Sequence, residues 1–175
     1  MTIALVVGHK ETAKGAYNIT HNISEFDFNN RLAIDISNKT SEYITIIYRS
    51  SYKALPDVIN IIDPIFVVSL HCNAFNTKAS GSEVLYYHSS TRGKKLATVF
   101  QEKIKAVLNL PDRGVKSKSA EDRGGYLLRY TNAPCIICEP FFIDNDSDLE
   151  TARENYVELV NAYASAIEEG RKLIN

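Results

Sequence analysis

The sequence carries almost no net charge: 20 Lys and Arg stand against 21 Asp and Glu. Without an excess of one sign there is no long-range field to gather nucleic acid or an anionic membrane, so a partner has to be recognised by a local site. Cysteine is scarce as well. Three of them, an odd number in 175 residues, do not make a disulfide framework and fit a reducing compartment, so synthesis in the cytoplasm is the expectation. No apolar run is long enough to span a bilayer, and the opening Met-Thr-Ile-Ala-Leu-Val-Val has neither the basic leader nor the length of a signal-peptide core. Stable membrane association is therefore not expected, and a substrate outside the cytoplasm would need another delivery route. Internal repeats, low-complexity tracts and linker-like stretches are missing too. Residues 1–175 read as one domain, a size that buries about two-thirds of its unfolded surface.

The apolar pattern that is present alternates between two periods. Ile3–Val7 is a short β-branched run stopped by Gly8, which predicts a buried strand, and a loop follows over residues 8–24. From Glu25 the spacing of Phe28, Leu32 and Ile36 predicts a helix with one apolar face. Ile44–Tyr48 predicts a second strand, residues 54–61 a helix, and residues 64–69 a third strand that is apolar throughout. This βαβ alternation implies a mainly parallel sheet. Ser82–Tyr87 predicts a fourth strand, and Leu96, Val99, Phe100, Ile104, Val107 and Leu108 mark an amphipathic helix. Residues 110–125 are polar and read as a surface loop, and residues 135–138 as a last buried strand ending at Glu139 and Pro140. Ser147 and Glu150 have the spacing of a capping box, and Tyr156, Leu159, Val160, Tyr163 and Ile167 continue in helical register. The expected fold is a three-layer α/β domain with a mixed, mainly parallel sheet flanked by helices.

Two histidines, His9 and His71, directly follow predicted strands. Strand carboxyl ends in an open parallel sheet face one crevice, so both imidazoles can converge there. Glu25 opens the first helix and Glu139 closes the last strand. Two His and one Glu form a zinc set that leaves a fourth position for water, with a remaining carboxylate free to act as base. Spacing by itself leaves the ligand choice open: His21 lies four residues before Glu25, and Glu11 two residues after His9. The Cys135-x-x-Cys138 pair invites a metal or redox reading, but residues three apart on a strand point to opposite faces. Buried structural thiols are expected, and Cys72 is read as an apolar filler.

Across these positions the chain resembles the zinc-dependent N-acetylmuramoyl-L-alanine amidases of bacterial cell separation and phage lysis. The resemblance is carried, in order, by Gly8-His9, Lys14-Gly15-Ala16, Glu25 with Asn29, residues 69–74 (Ser-Leu-His-Cys-Asn-Ala), residues 81–87, Arg113-Gly-Val-Lys116, Leu127-Leu-Arg129, Asn132-Ala-Pro134, Glu139 and residues 142–145. It implies that His9, Glu25 and His71 ligate Zn2+, that Glu139 is the catalytic carboxylate, and that the substrate is peptidoglycan, cut between N-acetylmuramic acid and L-alanine. Two positions depart from the family pattern: Lys10 where glycine is usual, and Pro140-Phe141-Phe142 where Gly-Phe is usual. Arg129 and Lys116 are candidates to hold stem-peptide carboxylates. Some relatives insert an inhibitory helix before the strand matching residues 81–87, and the nine residues 72–80 are too few for one. A phage endolysin is the implied setting. A wall-binding module without turnover and a zinc peptidase of the stem peptide remain the alternatives.

Overall fold

The computed structural model describes residues 1–174. One six-stranded sheet runs in the order β4-β1-β5-β8-β6-β7, with β1 at Ile3–Val7, β4 at Ile44–Tyr48, β5 at Val67–Leu70, β6 at Ser82–Tyr87, β7 at Asp112–Lys118 and β8 at Cys135–Glu139. Every neighbouring pair is parallel except β6 with β8. A two-residue hairpin, β2 (Tyr17–Asn18) with β3 (Ile23–Ser24), lies in the loop after β1.

Helices cover both faces, as the fully buried central strands require. Alternation along each strand sends Leu5, Val68, Val84 and Ile136 to one face. There they meet α1 (Glu25–Lys39), α3 (Thr91–Leu108) and α6 (Tyr156–Ile174) through Leu32, Ile36, Phe100, Ile104, Tyr163 and Ile167. The opposite face, with Val6, Val67, Leu85 and Ile137, packs against α2 (Leu55–Ile62) and α4 (Gly125–Tyr130) through Ile59, Leu127 and Leu128. The result is a three-layer α/β architecture with a mixed, mostly parallel sheet. Cys135 and Cys138 lie in opposite layers, both free and fully buried. Burial pushes the Cys135 thiol up to about 12, which makes it an inert filler.

Besides the hairpin in the loop after β1, and a third strand that spans Val67–Leu70 rather than residues 64–69, the structure departs from the sequence expectation in three places. Residues 112–118, expected as loop, form edge strand β7; only Val115 among them is apolar, because one side of the strand meets solvent, and the segment is held by backbone pairing to β6. The short helix α4, which the periodicity did not mark, spans little more than one turn. The capping box at Ser147 is replaced by Asn145, whose side-chain oxygen accepts from Ser147 N at 3.0 Å and Asp148 N at 3.3 Å, so α5 begins at Asp146. Asp148 is thereby turned inward, accepting from Ser80 Oγ, Gly81 N and Phe142 N. This one buried carboxylate ties the loop before β6 to the turn after β8.

Candidate metal centre and cleft

Three adjacent parallel strands, β1, β5 and β8, bring the candidate residues to one sheet edge. His9 lies two residues past β1, His71 one past β5, and Glu139 is the last residue of β8. The strand ends stay in register beyond the sheet: Gly8 N donates to Leu70 O at 2.9 Å and His71 N to Cys138 O at 3.0 Å. Gly8 has no alternative here, since a Cβ would stand 2.5 Å from Leu70 O and 2.7 Å from the His71 ring. His9 adopts a left-handed backbone, φ 66°, a conformation that costs a non-glycine residue about 1 kcal/mol or more and turns its ring back over the sheet edge.

Glu25 is the first residue of α1, whose N-cap Ser24 accepts from Asp27 N. Its backbone N–H donates to Ala16 O, which plants the side chain beneath the loop. The carboxylate is fully buried, where an unpaired charge would cost several kcal/mol. It is paired on both oxygens: Oε1 accepts from Cys72 N at 3.0 Å and meets His71 Nδ1 at 2.9 Å, and Oε2 accepts from Ala16 N at 3.2 Å and stands 3.0 Å from His9 Nε2. Burial pushes this carboxyl up, but the imidazoles of His71 and His9 outweigh it and hold the acid well below the usual range. Gly15, at φ +79°, closes the pocket; a Cβ there would fall 2.5 Å from the His9 ring and 2.6 Å from Glu25 Oε2.

The donor atoms of His9, Glu25 and His71 all lie within 4.8 Å of one another. Tetrahedral zinc with bonds near 2.1 Å spaces its ligands about 3.4 Å apart, so the cluster can close on an ion with small side-chain adjustments. The chemistry of the set fits too. His9 Nε2 is buried yet makes no hydrogen bond despite its approach to Glu25. A ring nitrogen and a carboxylate oxygen 3.0 Å apart are donor atoms of the types a divalent ion takes. His21 is elsewhere, with Nδ1 3.0 Å from Arg153 and Nε2 3.5 Å from Glu150 of α5, and Glu11 is an exposed loop residue.

Glu139 shares a cleft of about 480 Å³ with His9 and His71. Its carboxyl is only 7% exposed and pushed up to about 7, by burial first and then by the like charges of Glu83 and Glu25, which outweigh the opposing pull of Arg123 and Lys118. Glu83 is its cross-strand partner. Asn73 Nδ2 donates to Glu83 at 3.0 Å, and Arg113 Nε donates to it at 2.8 Å while lying over the Phe142 ring. Pro140 follows in the chain and leads to Phe141 and Phe142, both buried. Phe141 stacks edge-on against Phe28 of α1, 4.9 Å between centroids. The apolar pair thus anchors the end of β8 to the core.

The rest of the cleft wall was not marked by the sequence reading. Arg49, Tyr52, Arg123 and Tyr126 line it, coming from the loop after β4 and from the region around the start of α4. Arg129 and Lys116, which the sequence leaves open between stem-peptide contacts and solvated loop charges, are not among the lining residues. Arg129 lies over the rings of Tyr87 and Tyr130, and Lys116 is exposed on β7. A lone Arg after an edge strand leaves no periodic trace, so only its spatial position identifies it.

Comparison with known proteins finds relatives of this chain and of its fold. The chain is 26% identical over 163 residues to the N-acetylmuramoyl-L-alanine amidase LytC of Bacillus subtilis, covering 87% of this chain and 32% of LytC. It spans between 16% and 39% of the length of three curated relatives it matches. Among solved structures, it superposes on an N-acetylmuramoyl-L-alanine amidase from Clostridium difficile 630 with a TM-score of 0.83 at 25% identity, covering 96% of this chain and 95% of that one. The catalytic domain of the CD27L endolysin targeting Clostridia difficile gives 0.80 at 26% identity, covering 97% and 96%. The family model described as N-acetylmuramoyl-L-alanine amidase (Amidase_3) matches residues 3–169, the span that carries every strand of the sheet and every residue of the His9, Glu25, His71 and Glu139 constellation, and the chain belongs to that family.

Proposed function

We propose that residues 1–175 act as one catalytic domain, a zinc-dependent hydrolase that cuts the amide between N-acetylmuramic acid and L-alanine in peptidoglycan. The observation that carries this reading is the placement of Glu139, a buried carboxyl titrating near neutrality, in the same cleft as His9 and His71. His9, Glu25 and His71 would hold the ion, which when bound supplies Lewis-acid polarisation of the scissile carbonyl and acidifies water.

The chain's own residues account for orientation and proton transfer. The hydrogen bonds to Glu25 from Ala16 N and Cys72 N fix the carboxylate between the two imidazoles, so the set is preorganised by backbone donors. Glu139 takes a proton from the attacking water on its carboxylate and returns it to the departing alanine amine. A pKa near the working pH suits both halves of that task. The like charge of Glu83, itself held off by Arg113 and Asn73, keeps Glu139 basic. An endolysin setting is part of this proposal; among the described residues no helix is long and apolar enough to cross a membrane. Digestion of purified peptidoglycan with and without a chelator tests the reading. New L-alanine amino termini, lost on chelation and restored by zinc, are expected. Other new termini would instead make the protein a stem peptidase, and none at all a binding module.

A further inference from the structure

Arg49 is the first residue after edge strand β4, whose Tyr48 pairs with Val7 of β1. The parallel register therefore sets Arg49 level with Gly8, one strand away from His9. Its side chain lines the cleft that holds His9, His71 and Glu139, and also a second groove bounded by Lys10, Glu11, Thr12, Asn30 and Ser50. Arg49 is thus the ridge where the two grooves meet, and a linear ligand leaving the His9 site in that direction has to cross it.

Among the described residues, two half-buried cations, Arg49 and Lys118, have no ion pair, and of the two only Arg49 lines the cleft. The half-buried Lys103 and Arg171 each face a carboxylate, Glu169 and Glu42 respectively. Arg49 is also half-buried, yet among the described residues it has neither an ion pair nor a hydrogen bond. The guanidinium lies over the Tyr52 ring, 5.4 Å from its centroid, and Tyr52 in turn lies 5.8 Å from Tyr126. Loss of solvent pulls its pKa down, against the smaller upward pull of Tyr52 and Glu25. A guanidinium over an aromatic face keeps its N–H edge available, and that planar fork fits a carboxylate through two parallel hydrogen bonds.

We propose that Arg49 is the specificity residue for the acidic stem peptide, binding the first carboxylate that follows the L-alanine whose amide is cut. The assignment rests on the amidase reading above. Tyr52 positions the guanidinium, and the groove beyond it, towards Lys10, carries the peptide on.

The test compares two soluble disaccharide tetrapeptides that differ only at the second stem residue, one with a free α-carboxylate and one with the carboxamide. Each is assayed on the zinc-loaded protein by release of L-alanine amino termini. The wild type is expected to favour the carboxylate by roughly tenfold or more in kcat/KM, mainly through KM, as the loss of a charge-assisted pair implies. Arg49→Gln is expected to reduce that ratio to within about twofold, while Arg49→Lys keeps part of it. Thermal midpoint and zinc content, measured alongside, show whether each variant is folded and loaded. A wild type indifferent to the change, or an Arg49→Gln protein that keeps the full preference, would overturn the assignment and leave the amidase standing. Absence of L-alanine termini from both compounds would overturn the amidase reading, and the assignment with it.

Discussion

Glu83 and Glu139 face each other across the antiparallel pair β6 and β8, two carboxylates on the same side of the sheet. Like charges directly opposite on neighbouring strands destabilise a sheet, and among the described residues Glu83 has an ion pair, with Arg113, while Glu139 feels Arg123 and Lys118 only at longer range. The asymmetry separates their behaviour. Glu83 is pinned by Arg113, whereas Glu139 is left with a carboxyl pushed up to about 7.

Removing the pinned charge is expected to move the titration of the other. Glu83→Gln takes away an upward influence on Glu139, so its carboxyl falls towards the ordinary range and the acid limb of the kcat/KM profile shifts to lower pH, by roughly one unit. The pH profile of the variant, fitted beside that of the wild type, checks this. Superimposable acid limbs would show that Glu83 serves only as a brace for Arg113.

Glu139→Gln is expected to lose hydrolysis by roughly a hundredfold or more, the scale of a missing general base, while retaining zinc and binding to peptidoglycan. Its stability should move the other way. The folded pKa, about 7, lies above the ordinary carboxyl value of 4.5, so any stability the carboxyl contributes is present below the unfolded pKa and is lost as pH rises through 7. At pH 8 the buried charge costs the metal-free protein roughly 3 kcal/mol relative to a neutral group. Thermal melts of the stripped proteins should show the glutamine variant more stable at pH 8 and nearly matched at pH 4. Near-normal turnover would remove Glu139 from the mechanism.

Glu25→Ala is expected to abolish zinc binding and to cost about 2–3 kcal/mol of stability, because Cys72 N and Ala16 N lose their buried acceptor. His21→Ala should keep the metal, since His21 meets Arg153 and Glu150 instead. Elemental analysis of the two purified variants decides between them, and zinc retained by Glu25→Ala would transfer the third ligand to another residue.

Turnover is expected without an activator. Residues 72–80 contain no helix and are held down by Asp144 and Asn76, which accept from backbone N–H groups of Phe75, Thr77, Lys78 and Ala79. Progress curves on peptidoglycan should be linear from the first seconds. A lag removed only by adding a second protein would contradict this.

Local pattern determined much about this protein. Ile3–Val7, Ile44–Tyr48 and Ser82–Tyr87 have the same bounds in sequence and structure, because short runs of β-branched and aromatic residues between polar turn segments favour extended backbone. His9, His71 and Glu139 were legible as strand-end residues, and Glu25 as the opening of a helix, for the same reason. Tertiary structure decided what no local period encodes. That β1, β5 and β8 are neighbours, so that three strand ends share one edge, follows from pairings between residues more than 60 positions apart. Strand β7 is too polar to declare itself, since its hydrogen bonds to β6 come from the backbone and carry no side-chain signal. The separation of Glu25 from His21, the pairing of Glu83 with Glu139, and the unpartnered Arg49 on its tyrosine depend on distances and burial in the folded chain. Those quantities set the electrostatics of the site, and a linear sequence expresses them only once the sheet has closed.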